Sequence, residues 1–232
     1  RAMIMYFFLL RNERKSKKEL IEIQKVELSK FLIFCRKNVP YYRGKIPEIN
    51  INMSSEEFQE SINRIPVLTK KDIIGHRDLI ELNEGGVGRF KYGKTGGSTG
   101  TPLKYRISKK CNDAAFAILY RGLGRGGYRI GDKLAVMAGG SLITKNKTVK
   151  SKFISFLMNT RKYSSYGVSD SLFQEYYEDL VRWKPGFIRG YATAIYEFAR
   201  FVERNNYKLT FKSVFTTAEM LFENQRNLIE KV

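Results

Sequence analysis

The chain reads as an α/β protein, and three observations predict that class. Beyond residue 105, short apolar runs, polar turns and amphipathic stretches alternate at the spacing of strand, loop and helix. At 232 residues with 43% hydrophobic content, the chain is long and apolar enough to bury a core. A run of glycine and hydroxyl residues, "KTGGSTGTPLKY" (Lys94–Tyr105), sits just ahead of the alternating region. The expected layout is a helical N-terminal region over 1–89, then an α/β portion over 90–232 whose mixed sheet carries packed helices.

Taken in order, residues 16–38 predict a helix, with Leu20, Ile23, Leu28, Phe31, Leu32 and Cys35 near helical spacing. It stops before Pro40, which disfavours helical geometry at Val39. Ser54 with Glu57 has capping-box spacing, and Thr69 with Asp72 repeats it. "CNDAAFAILYRGL" predicts a helix and "DKLAVMAGG" a buried strand ending in glycines. Ser169 caps a helix that gathers Leu172, Phe173, Tyr176, Tyr177, Leu180 and Val181 on one face. "GFIRGY" and "SVFTTAE" read as strands, each leading into a helix. Ligands of open α/β sheets bind off the carboxyl ends of the strands. That rule puts Gly190, Tyr191, Ala192 and Thr193, and the turn holding Thr217, Ala218 and Glu219, on the functional edge.

Charge and cysteine content narrow the classes. The formal net charge is +19. The cations are spread among Lys15, Lys17 and Lys18, Lys70 and Lys71, and Lys145 to Lys152, with no RNP-like strand or basic-region helix beside them. Nucleic acid is therefore not an expected partner. Cys35 and Cys111 lie far apart without metal-ligand spacing, and His76 is the only histidine. No metal-binding set is expected, and thiol usage suits a reducing, cytoplasmic setting. "AMIMYFFLL" (Ala2–Leu10) falls short of the about 20 apolar residues a spanning helix needs. Its expected use is docking onto the domain, with peripheral contact to an anionic membrane as the alternative. The start at Arg1 and the stop at Val232 inside an amphipathic pattern predict a part of a longer protein.

"GLGRGG" (Gly122–Gly127) fits a dinucleotide fingerprint only as letters, because it follows a helix and precedes a strand. It is read as a helix-ending turn. The loop after Lys94 is different in kind. Gly96, Gly97 and Gly100 let the backbone approach a ligand, and Thr95, Ser98, Thr99 and Thr101 bring hydroxyls. Successive amides in such a turn form an anion nest, with Lys94 and Lys104 adding charge. The Gly-Lys-Ser/Thr ending of a P-loop is missing. Taken alone, the run also fits a surface hairpin.

"TGGSTGTPL" resembles the phosphate-binding loop of adenylate-forming enzymes. In order along the chain, "CRKNVPYYRGK", "RIPVLTKKDI", "KPGFIRGYATAIYEFA" and "FTTAEMLFENQRNLIEKV" are similar to stretches of the phenylacetate–CoA ligase family with its CapK-type members. The resemblance spans about Leu20 to Val232. It implies the N-terminal portion of an acyl-activating enzyme that joins a carboxylic acid to AMP, using ATP and Mg2+, and passes the acyl group to coenzyme A. It also implies roles. Thr95 to Thr101 with Lys104 would hold the ATP phosphates, and Thr217, Ala218 and Glu219 would contact adenosine. Tyr166, Gly190, Tyr191, Ala192 and Thr193 would border the acyl pocket. An acceptor other than coenzyme A, in surface-polysaccharide synthesis, is an alternative the CapK-type members bring. A non-catalytic basic module at a membrane or polyanion is another. Gly96 and Thr101 depart from the serine and lysine frequent in the family. The family's Tyr-Gly-x-x-Glu, ribose aspartate and lid lysine lie outside these 232 residues, so the chain alone is expected to turn over little.

Overall fold

The computed structural model describes residues 1–82, 90–95, 102–139, 153 and 155–232. Two compact units form, Arg1–Ile118 and Leu119–Val232. The expected division after residue 89 falls earlier, ahead of a hairpin that goes with the first unit. Arg106 in that hairpin donates to the Leu82 carbonyl at 2.9 Å and pairs with Glu81 at 3.3 Å.

In the first unit, α1 (Ala2–Asn12) precedes α2 (Lys17–Asn38). Ser16 starts α2 with a full capping box, its N–H donating to Glu19 at 2.8 Å and its hydroxyl accepting the Glu19 N–H at 3.3 Å. Val39 is extended, as the following proline requires. The same reciprocal cap opens α3 (Ser55–Asn63) at Ser54 and α4 (Lys70–Gly75) at Thr69. His76 lies between α4 and the short α5 (Arg77–Ile80), its Nδ1 3.1 Å from the Asp72 carbonyl oxygen. Leu32, Cys35, Ile46, Ile49 and Phe58 form the core here. Burial pushes the Cys35 thiol above its ordinary pKa. Strands β1 (Phe90–Lys94) and β2 (Lys104–Ser108) then pair antiparallel.

Helix α1 is covered on one side, where Met5, Leu9 and Leu10 are half-buried and Asn12 is buried, while Ile4 is 73% exposed and Phe7 61%.

The helix α6 (Lys109–Gly124) runs across the boundary between the units. In the second unit, β3 (Leu134–Ala138), β4 (Thr160–Ser164), β5 (Phe187–Tyr191) and β6 (Ser213–Thr217) form a four-stranded sheet in the order β4-β3-β5-β6. Every pairing in it is parallel. The expected mixed sheet is therefore a parallel sheet plus a separate antiparallel hairpin, among the described residues. Two helices, α7 (Asp170–Trp183) and α8 (Ala192–Arg204), follow β4 and β5, and α9 (Glu223–Lys231) follows β6.

Alternation along the strands builds two cores, because successive side chains point to opposite faces. Ala135, Met137 and Ile188 pack with Phe173 and Leu180 of α7 and Phe198, Phe201 and Val202 of α8. Leu134 and Phe187 pack with Leu123 and Tyr128 in the other core. Both sheet faces are thus covered, as parallel sheets require. "GLGRGG" ends α6 as expected: the Gly127 N–H donates to the Gly124 carbonyl at 3.0 Å, with Gly127 at φ +84°. A Cβ on Gly126 would stand 2.5 Å from the Phe215 ring, so this glycine serves packing rather than a nucleotide.

Candidate functional site

The glycine loop sits at the end of the β1–β2 hairpin. Of the residues expected to hold phosphate, Gly96, Gly97, Ser98, Thr99, Gly100 and Thr101 lie outside the described residues. Thr95 and Lys104 lie inside them and close the loop's base. The Thr95 N–H donates to the Leu103 carbonyl at 2.9 Å, and the Leu103 N–H donates to Thr95 Oγ1 at 2.9 Å. That hydroxyl accepts here and keeps its own proton to donate. Lys94 and Lys104 are direct cross-strand partners. Directly opposed residues share a face, and like charges there repel. Among the described residues neither lysine has an ion-pair partner. An anion at the loop's mouth would relieve that repulsion.

In the second unit, the carboxyl ends of β3, β4, β5 and β6 carry the turns expected on the functional edge. A cavity of about 550 Å3 opens there, lined by Met137, Ser164, Tyr166, Tyr191, Thr193 and Glu219 among others. Four of the expected site residues, from three separate strand ends, therefore share one cavity. Tyr166 is 71% exposed, a large ring at the cavity's edge. It follows β4 through a local turn in which its N–H donates to Ser164 Oγ at 3.2 Å, with Gly167 at φ +60°. Gly139, at the end of β3, makes room for both rings. A Cβ there would lie 2.9 Å from Tyr166 and 3.3 Å from Tyr191.

Gly190 and Ala192 stand behind this wall rather than on it. A Cβ on Gly190 would meet the Met137 carbonyl oxygen at 2.6 Å, and Ala192 is fully buried at the start of α8. Gly190 pairs with Met137 across β3 and β5, and neither Gly190 nor Ala192 is among the residues lining the cavity. They are the chain neighbours of Tyr191 and Thr193, which do line it. Thr217 is half-buried at the end of β6, and Ala218 is exposed at φ +67°, left-handed for a residue with a Cβ. That turn delivers Glu219, whose Oε2 accepts the Thr193 N–H at 2.9 Å. Helix α8 has no cap from its own N-cap residue, Tyr191, so Glu219 satisfies one of its orphan donors from another strand.

Several lining residues were not anticipated. Glu197, Arg200 and Arg204 recur at helical spacing along α8, with Asp170 beside them at the start of α7. Arg204 donates to Asp170 at 2.9 Å and Arg200 to Glu197 at 3.1 Å. Their spacing of three and four residues was the available signal. Arg189 lies two residues before Tyr191. It sits half-buried on β5, and burial lowers its pKa, offset in part by Tyr120 and Tyr191. Among the described residues no group of three or more His, Cys, Asp or Glu side chains comes together to hold a metal ion.

A parallel sheet with covered faces and a crevice over its carboxyl ends defines a ligand-binding α/β fold. The same fold occurs in 2-hydroxyisobutyryl-CoA ligase. Its open form, in complex with 2-HIB-AMP and CoA, matches at a TM-score of 0.61 with 15% identity, over 88% of this chain and 49% of that one. Its postadenylation form with 2-HIB-AMP matches at 0.60, over 88% and 45%. The class is therefore α/β, with the fold of about half of an adenylate-forming CoA ligase. The chain is a homologue of Protein CapK of Staphylococcus aureus, with 28% identity over 222 residues. That alignment takes in 92% of this chain and 47% of CapK, so the chain spans about half the length of the curated relative it matches. No family model matches it.

Proposed function

We propose that the chain provides the nucleotide- and acid-binding part of an AMP-forming acyl-activating ligase. The reaction joins a carboxylate to the α-phosphate of ATP, releasing pyrophosphate, and then moves the acyl group to a thiol. Coenzyme A is the acceptor favoured by likeness to a ligase whose structure holds CoA. The observation carrying this reading is the shared cavity of Tyr166, Tyr191, Thr193 and Glu219 at the carboxyl ends of parallel strands.

Each part has a chemical task. In the hairpin loop, Ser98 and Thr99 would donate to the β- and γ-phosphates, with the amides of Gly96, Gly97, Gly100 and Thr101. Thr95 would add its free O–H, and Lys94 and Lys104 their charge. Preorganised donors stabilise the charge that gathers on departing pyrophosphate. Tyr166 and Tyr191 would bound the acid, and Thr217, Ala218 and Glu219 the adenosine. Magnesium is bound in such sites through one or two carboxylates plus substrate phosphates. Glu219 is the carboxylate these expected residues offer, and one of its oxygens already serves Thr193. Magnesium would therefore arrive with ATP, held chiefly by phosphate oxygens.

The test compares ATP and AMP binding by calorimetry for the chain and its Ser98→Ala/Thr99→Ala variant. ATP affinity should fall while AMP affinity stays unchanged, since the loop addresses only the distal phosphates. Equal loss for both ligands, or no loss, would overturn the assignment. In the longer protein, ATP–pyrophosphate exchange should fall by about 10²–10³ per donor removed.

A further inference from the structure

Helix α1 is apolar all round over "AMIMYFFLL", the pattern of a helix buried on every side. It is buried on one side only. Met5, Leu9 and Leu10 are half-buried, whereas Met3, Ile4, Phe7 and Phe8 are 41%, 73%, 61% and 51% exposed. Ile4, Phe7, Phe8 and Arg11 recur at helical spacing, so the exposed side chains form one stripe ending in a cation. A contiguous apolar patch of this kind marks an interaction surface.

Charge selects the occupant. From residue 11 to residue 18 the chain carries Arg11, Arg14, Lys15, Lys17 and Lys18 against the single acid Glu13. Lys15 pairs with Glu19 at 3.3 Å. Arg11, Arg14, Lys17 and Lys18 have no ion-pair partner among the described residues. A second copy of a chain with net charge +19 would bring these cations against one another. An anionic bilayer accepts both features, apolar side chains into the acyl boundary and cations against headgroups. Among the described residues no helix is long and apolar enough to cross a membrane.

We infer that α1 seats the protein on an anionic lipid surface, with Met3, Ile4, Phe7 and Phe8 at the headgroup–acyl boundary and the following basic cluster against the headgroups. This is independent of the proposed ligase chemistry.

The test is co-sedimentation of the whole chain with vesicles of phosphatidylcholine, with and without phosphatidylserine, across a salt series. The chain should pellet with the phosphatidylserine vesicles and be released as salt rises. Removing a basic residue near the surface costs about fivefold, so Arg14→Gln/Lys17→Gln/Lys18→Gln should weaken binding by about 100-fold. Phe7→Glu/Phe8→Glu should abolish it. Both sets lie on exposed positions, and the salt series on the unaltered chain needs no variant to be folded. Absence of binding, binding without dependence on phosphatidylserine, or unchanged binding by Phe7→Glu/Phe8→Glu would overturn the inference. So would a concentration-dependent dimer that Phe7→Glu/Phe8→Glu disperses without any binding to vesicles.

Discussion

Glu219 reaches from the turn after β6 to the first turn of α8, where its Oε2 accepts the Thr193 backbone N–H at 2.9 Å. The contact ties the ends of two neighbouring parallel strands, since Thr193 lies two residues past the end of β5. It is a helix cap supplied from a distance, and it also sets the carboxylate at the cavity's rim. Replacing Glu219 by alanine should cost about 0.5–2 kcal/mol, the range for losing an N-cap. A shift of about 2–4 °C in Tm for each kcal/mol is expected at this size. Scanning calorimetry checks it, and an unchanged Tm would mean that solvent caps α8 equally well.

Ala218, one residue earlier, adopts φ +67°. The left-handed region costs a residue with a Cβ about 1–2 kcal/mol, which glycine avoids. Ala218→Gly should therefore raise the urea midpoint, or at worst leave it level once the glycine's greater unfolded entropy is counted. A clear drop would show that the turn is held by something other than its own backbone preference.

Gly190→Ala is expected to go the other way. The new Cβ would stand 2.6 Å from the Met137 carbonyl oxygen, and backbone cannot swing aside as a side-chain tip can. Overpacking of this kind costs about 1–3 kcal/mol. Because β3 and β5 must part to admit the methyl group, ligand binding in the cavity should weaken together with stability. Urea unfolding and titration with an acyl-adenylate analogue measure the two effects on one sample.

The pair Tyr163–Asp179 predicts opposite pH limits. Tyr163 donates to Asp179 Oδ2 at 2.7 Å, and Arg161 pairs with the other carboxylate oxygen. Burial works to raise the Asp179 pKa, but the hydrogen bonds from Tyr163 and Arg161 and the Arg161 charge outweigh it, and the net shift is downward. A depressed carboxylate contributes stability above its unfolded pKa, about 3.9, and loses it as pH falls through the folded value. Burial, then the hydrogen bond to Asp179, pushes the Tyr163 hydroxyl well above its usual range. A raised phenol contributes stability below about pH 10 and loses it as pH climbs toward the folded value. Comparing unfolding of the protein with Asp179→Asn should give a difference that vanishes in acid. For Tyr163→Phe the difference should instead shrink in alkali.

Lys94 and Lys104 oppose each other across the hairpin without a counterion among the described residues. Neutralising one with Lys94→Gln should raise the stability of the ligand-free chain slightly, by about 0.2–1 kcal/mol. The same change should reduce the extra stability that ATP confers. Thermal shift with and without ATP reads both at once, and a fall in both would deny the repulsion.

Local signals were written plainly in the chain. Ser54 with Glu57 and Thr69 with Asp72 formed the capping boxes their spacing predicts, and Pro40 ended α2. The runs around Leu134, Phe187 and Ser213 became strands of one sheet. Strand β4 has no plain sequence signal because "TRKYS" is an edge strand, largely polar, in which Tyr163 alone is fully buried. The exposed side of α1 had no sequence signal of its own, since composition reports that a helix is apolar and not what lies beside it.

The sequence by itself determined the α/β class, the caps, three of the parallel sheet's four strands, most helices and the crevice-bearing turns, because these follow from neighbours a few residues apart and from side-chain periodicity. Only the tertiary structure decided that Gly190 and Ala192 support the cavity wall while Tyr191 and Thr193 line it. It also decided that Glu219 caps α8, that Gly139 clears space for two tyrosines, and that Lys94 faces Lys104. Each of those depends on strand register and on residues far apart in the chain meeting at one place. Sequence spacing carries no record of such a meeting until the sheet has formed.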